Sequence, residues 1–138
     1  MRLNNNKKSG TDFEDIFKQI LSSYGFWVHK FQDNQNGQPF DVIAAKNGDT
    51  YVFDCKDCKN DSFPLSRIEE NQYNAMMLWQ KCGNHEGLFA MNTSKGVRII
   101  SLEVLEFLKS KNIKVVNKND LLWYSTPLPK WMEEIGCT

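Results

Sequence analysis

An Asn-Gly pair at positions 47 and 48, set between the apolar runs Phe40–Ala45 and Thr50–Lys56, constrains this chain more than any other feature. A type I′ turn needs positive φ at both central residues, which Asn and Gly tolerate, so the pair predicts a two-residue β-hairpin. With those residues as the loop, Lys46 faces Asp49, and counting outward brings Asp41 opposite Asp54. Opposed residues share a face, with Cβ atoms roughly 4.5–5.5 Å apart. Alternation then puts Lys56 on the same face, one step beyond Asp54. Two opposed carboxylates destabilise a sheet unless a cation joins them. The bland reading is a solvated charged face, but Ile43, Ala45 and Val52 share it, so these charges sit at the edge of a buried stripe where unpaired charge is costly. The register carries this reading: a three-residue loop would turn Asp54 to the other face unless a bulge restored it.

At 138 residues the chain has the length of one domain with a substantial core. Its 41% hydrophobic content, with nine Phe and four Trp, belongs to a folded protein. Lys plus Arg and Asp plus Glu number 17 each, which predicts no strong overall attraction to nucleic acid or membrane and leaves room for a local basic surface. No run approaches the ~18–20 apolar residues of a membrane span, and residues 1–10 lack the apolar stretch of a signal peptide. A cytoplasmic location follows as an expectation, with Cys55, Cys58, Cys82 and Cys137 as reduced thiols.

Residues 1–10, with Arg2, Lys7, Lys8 and no acid, read as a flexible basic arm, followed by one domain over 11–138. Thr11 or Asp12 can cap a helix whose apolar positions, at helical spacing, are Phe13, Ile16, Phe17, Ile20, Leu21 and Tyr24, and Gly25 stops it. A strand over Phe26–Phe31 and a polar loop lead into the hairpin. A helix is expected from about Leu65 to Lys81, then strands over Gly87–Asn92 and Val97–Ser101. A third helix covers Leu102–Asn112, with Leu102, Leu105 and Leu108 inward. Beyond it the pattern weakens to a strand over Ile113–Val116 and a short helix near Trp131–Ile135. The order α-β-β-β-α-β-β-α predicts an α/β fold, a mixed sheet flanked by helices.

Metal-assisted phosphodiester hydrolysis needs oxygen ligands, a positioned water and positive charge where the transition state becomes negative. Mg²⁺ is typically held by one or two carboxylates plus waters and substrate phosphate. Asp41 and Asp54 supply the carboxylates, and the backbone carbonyl of Cys55 can add a third oxygen. Lys56 can orient or deprotonate the water, or stabilise charge; the sequence does not choose between these.

Pro39-Phe40-Asp41, twelve residues, then Asp54-Cys55-Lys56 resembles the PD-(D/E)XK nuclease signature, and the surroundings resemble the RecU-type Holliday junction resolvases. Gly10-Thr11-Asp12-Phe13-Glu14 is similar to their N-terminal helix start, and Val28-His29-Lys30 to their first strand. Asp54-Cys55-Lys56-Asp57, then Ser62-Phe63-Pro64-Leu65 and Gln72, tracks their path from the catalytic strand into the next helix. The similarity runs from about Lys7 to Asn112. It implies a restriction-endonuclease-like fold and a homodimer that cuts branched DNA with Mg²⁺ or Mn²⁺. It also implies Asp41 and Asp54 as ligands, Lys56 as the catalytic lysine, Glu14 as a further acid and Gln72 as a helix residue reaching the site. Helical spacing independently turns Gln72 inward with Ile68 and Met76, whereas a first-turn Glu14 is equally explained by the helix dipole. Two departures stand out: Asp54 replaces the Glu of many relatives, and a short loop over Phe31–Gln38 replaces the stalk that engages the junction. Nuclease chemistry therefore transfers better than junction specificity.

Lys7, Lys8, Lys30, Lys59 and Arg67 are candidate phosphate contacts, each individually also explained as a solvated charge. Lys109, Lys111, Lys114 and Lys118 form a second basic cluster of unassigned role. Two rival functions remain: a non-catalytic DNA-binding or inhibitory module of the same fold, and a zinc-bound adaptor built on Cys55, Cys58 and Cys82. Zinc normally wants a second close ligand pair, which the cysteine spacing does not offer.

Overall fold

The structure, a computed structural model, describes the backbone of residues 5–32 and 38–137 and, apart from residues 5–11 and 59, their side chains. Helix α1 spans Asn5–Ser23. It begins upstream of the Thr11 or Asp12 cap suggested by the sequence and takes in residues 5–10 of the expected arm. Lys7 and Lys8 are good helix formers, and one glycine, costing about 1 kcal/mol, does not stop a helix anchored downstream. That anchor is Phe13, Phe17 and Leu21, all buried. Gly25, at φ 89°, ends the helix, and Phe26 N–H returns to the Leu21 carbonyl (3.2 Å).

Strand β1 (Trp27–Lys30) is followed by the hairpin strands β2 (Val42–Lys46) and β3 (Asp49–Asp57). After β4 (Phe63–Pro64), helix α2 (Glu70–Lys81) leads to β5 (Leu88–Thr93) and β6 (Gly96–Ser101). The chain closes with α3 (Leu102–Ser110), β7 (Val115–Val116), α4 (Lys118–Tyr124), β8 (Thr126–Pro127) and α5 (Leu128–Glu134). Six strands form one sheet in the order β1-β2-β3-β5-β6-β8, mixed because β3 and β5 run parallel while the other neighbours are antiparallel. Strands β4 and β7 pair separately.

β3 is covered on both faces, as a central strand should be. Tyr51, Phe53 and Cys55 point into a cluster built from α1, β2, β5 and α5. Phe53 sits there with the rings of Phe17 (5.0 Å) and Trp131 (5.7 Å) edge-on to it, a favoured aromatic geometry. Val52 points the other way, into a cluster with Met76 of α2, Phe89 and Met91 of β5 and the three inward leucines of α3. Asp54 and Lys56 belong to this second face by alternation.

The helix expected from Leu65 is interrupted. Leu65–Arg67 is a 3-10 turn, Ile68 and Glu69 are extended, and α2 proper starts at Glu70. Leu65 N–H donates to the Lys114 carbonyl (2.9 Å), which ties this turn to the segment leading into β7. No helix among the described residues is long and apolar enough to cross a membrane.

Candidate active site

Asn47 (φ 56°) and Gly48 (φ 85°) form the two-residue turn, and the ladder runs from Lys46–Asp49 to Val42–Phe53. Asp41 lies one residue beyond the last rung. Its N–H donates to the Phe53 carbonyl (3.0 Å), and its carbonyl accepts from Phe31 N–H (3.0 Å). Its side chain does not simply stand opposite Asp54: Oδ2 accepts the Cys55 N–H at 2.7 Å. Asp41 is nevertheless held beside Asp54, since it bonds the Phe53 carbonyl and the Cys55 N–H, the residues on either side of Asp54.

Asp54 has no exposed surface, and Asp41, Lys56 and Gln72 are buried as well. Burial pushes the Asp54 carboxyl well above the usual carboxylate range; the hydrogen bond with Asp41 adds to this, and Lys56 partly opposes it. Lys56 Nζ is 2.9 Å from Asp54 Oδ2, a charge contact that lacks hydrogen-bond geometry. Gln72 Nε2 donates to Asp54 Oδ1 at 2.8 Å, so α2 delivers the expected amide onto the second carboxylate. Gln38, which sequence reading left in a loop, donates Nε2 to Asp41 Oδ1 at 3.1 Å. Its only sequence signal was its place just before Pro39-Phe40-Asp41.

Helix α1 packs through Phe13, Phe17 and Leu21 against the face of β3 that carries Cys55, and Glu14 lies close enough that its charge, after burial and the two aspartates, helps raise the Cys55 thiol. Lys30 is paired with Asp15 at 2.8 Å. Arg67 donates to the Asp57 carbonyl (3.2 Å) at the end of β3, its guanidinium over the Phe63 ring. Lys7 and Lys8 fall on α1 and Lys59 in a 3-10 turn (Lys59–Asp61), all three with side chains outside the described residues.

The cysteine adaptor does not assemble. Cys55 and Cys58 are buried on opposite faces of the sheet, and Cys82 is exposed at the end of α2. Burial raises both buried thiols, Cys58 to about 11, which disfavours the thiolates that zinc requires. Alternation along β3 separates a CxxC that looks like a pair in sequence. Among the described residues no three His, Cys, Asp or Glu side chains gather as a metal site. The donors at Asp41 and Asp54 are hard oxygens, and Asp54 Oδ2 and Gln72 Oε1 are buried without a hydrogen-bond partner. That set fits an oxygen-seeking, partly hydrated cation such as Mg²⁺ or Mn²⁺.

Residues 31–122, two thirds of the chain, match the family described as RecU, recombination protein U. The chain belongs to the RecU family. The RecU match begins at the end of β1 and spans the hairpin, α2 and the second face of the sheet, so it takes in Asp41, Asp54, Lys56 and Gln72. The fold is similar to the 1.6 Å structure of Archaeoglobus fulgidus Hjc, a Holliday junction resolvase from an archaeal hyperthermophile, with a TM-score of 0.67. That likeness covers 89% of this chain and 98% of the other at 13% identity. No curated protein matches this chain.

Proposed function

We propose that this RecU-family chain is a divalent-metal-dependent endodeoxyribonuclease that cuts branched DNA of the Holliday-junction type. The observation that carries the reading is the buried pair Asp41 and Asp54, with Asp41 bonded to the residues on either side of Asp54, Lys56 Nζ 2.9 Å from Asp54 and Gln72 fixing its other oxygen. Two buried carboxylates held side by side, with the ionisation of Asp54 disfavoured, call for a cation. Asp41, Asp54 and the Cys55 carbonyl would hold Mg²⁺ or Mn²⁺. The N–H and C=O of one strand residue leave on the same side, so this carbonyl leaves β3 on the side where the Cys55 amide meets Asp41. A bound ion supplies Lewis-acid stabilisation of the charge that builds on the scissile phosphate.

The chain's own groups supply the rest. Lys56 brings a cation to the same point and orients the attacking water. Gln72 and Gln38 hold the carboxylates in place, so less reorganisation is needed as charge develops. Glu14 adds a further negative charge near Cys55. Lys7, Lys8, Lys30, Lys59 and Arg67 would meet phosphates around the centre. Two copies related by a twofold would cut two strands symmetrically, so a homodimer completes the proposal.

A fluorescent four-way junction, a flap and a plain duplex incubated in Mg²⁺ test this reading. The parent is expected to cut the branched substrates, and Asp54→Ala to lose about a hundredfold or more in rate. Equal cutting by parent and Asp54→Ala would sink the assignment. Binding without any cutting by the parent would make the chain a non-catalytic module of the same fold.

A further inference from the structure

The chain is electrically neutral overall, yet between residues 107 and 119 it carries four lysines and no Asp or Glu. The structure exposes all four, Lys109, Lys111, Lys114 and Lys118, on the surface of α3, β7 and α4. The same surface presents rings that a monomeric protein ordinarily hides: Trp123 is 81% exposed, and Phe107 and Tyr124 also reach solvent. Phe107 and Tyr124 are neighbours, 6.4 Å apart, and Lys111 Nζ lies 5.5 Å from the Phe107 ring centre. The patch is tied to the end of the catalytic strand. Lys118 Nζ is 4.0 Å from Asp61, in the turn just after β3, and the Lys114 carbonyl bonds the turn that carries Arg67.

We infer that this surface is a second nucleic-acid contact that takes an unpaired strand, with lysines on its phosphates and Trp123 and Tyr124 stacking on its bases. Exposed rings among cations are how proteins hold single strands, because every base has a face to stack and every phosphate a charge to neutralise. Lysines alone would serve a duplex arm; open rings have no use for bases already stacked in a helix. Charge complementarity therefore names a polyanion, and the rings select its unpaired form. The inference rests on the proposed nucleic-acid chemistry and adds to it a contact away from Asp41 and Asp54, on a chain whose stalk segment is short.

Fluorescence anisotropy of labelled oligothymidine, in EDTA so that nothing is cut, reads this contact directly. The variants are a triple Lys109→Gln, Lys111→Gln, Lys114→Gln and a single Trp123→Ala, each checked by thermal melting. The triple variant is expected to bind less tightly, with a salt slope shallower by about 2. Trp123→Ala is expected to lose at least about fivefold in affinity at an unchanged slope. Unchanged affinity and slope in both variants would overturn the inference. So would a duplex of equal length bound as tightly as oligothymidine, or a parent that binds anionic vesicles and not the oligonucleotide. Losses in these variants beside a parent that never cuts DNA would keep the inference and sink the nuclease reading; cutting by the parent with undiminished binding by the variants would do the reverse.

Discussion

Asp54 is stabilised by contacts that each do a different thing. Lys56 offsets its charge, while Gln72 satisfies Oδ1 with a neutral donor. Replacing Gln72 by Met keeps the volume and removes the donor. The buried oxygen then loses its hydrogen bond, and melting is expected to show a loss of roughly 1–3 kcal/mol. An unchanged melting curve would mean the amide carries no such load. Asp54 and Lys56 are legible in the sequence from alternation along β3 and Gln72 from its four-residue step to Met76 in α2, while Asp41 lies one residue past the ladder and is reached by counting out from the turn. Gln38 obeys no period. It sits in an irregular segment and acquires its role only when the chain returns to Asp41, so nothing local announced it.

Helix α2 delivers Gln72 only because it lies close on β5, and Gly87 permits that approach. A Cβ at Gly87 would come within 2.7 Å of Met76 Cβ, on the helix itself, so the neighbour cannot swing away. Gly87→Ala is expected to cost about 1–3 kcal/mol and to slow cutting by drawing Gln72 from Asp54. Preserved stability with preserved cutting would show that α2 can shift freely. The neighbouring Glu86 has its carboxyl raised, first by burial and then by the hydrogen bond and charge of Glu103 on α3. A carboxyl whose folded pKa exceeds its unfolded value stabilises the fold below the unfolded pKa, and this contribution is lost as pH rises through the folded pKa. Glu86→Gln should therefore melt higher than the parent at pH 7 and lose that advantage near pH 4; a constant difference across this range would refute the assignment. The hairpin, α3 and the β5–β6 pair were legible from spacing alone. The break before α2, where Ile68 and Glu69 are extended, was not, since the apolar spacing of Leu65 and Ile68 reads the same in a helix and in a 3-10 turn followed by an extended step. Nor was α4: its signal was Asn117, whose side chain accepts the Asp120 N–H (2.9 Å), and the helix ends on Ser125 N–H to Leu121 (3.1 Å) and on Arg98 from β6 (3.1 Å to Leu122).

Over the whole molecule, the two faces of one sheet have separate tasks. The face under α1 and α5 is packed with apolar side chains, whereas the face under α2 and α3 surrounds a carboxylate and a lysine with Phe89, Met91 and Met76. The second arrangement costs the fold stability when Lys56 is the cation beside Asp54 and no metal joins it, since burial still disfavours the ionised form there. Folding and metal binding are consequently linked. A ligand that binds only the native state stabilises it by RT ln(1 + [L]/Kd), about 2.7 kcal/mol at one hundred times Kd. Titrating Mg²⁺ or Mn²⁺ against thermal unfolding should raise the melting temperature by several degrees in the parent, since about 1 kcal/mol shifts a domain of this size by roughly 3–6 °C. Asp54→Asn removes a ligand charge while keeping the Gln72 contact possible, so its metal-free form should melt no lower than the parent and should no longer respond to the ion. A rise of equal size in both proteins would place the ion elsewhere, and a flat response in the parent would leave the paired carboxylates without the cation that their burial demands.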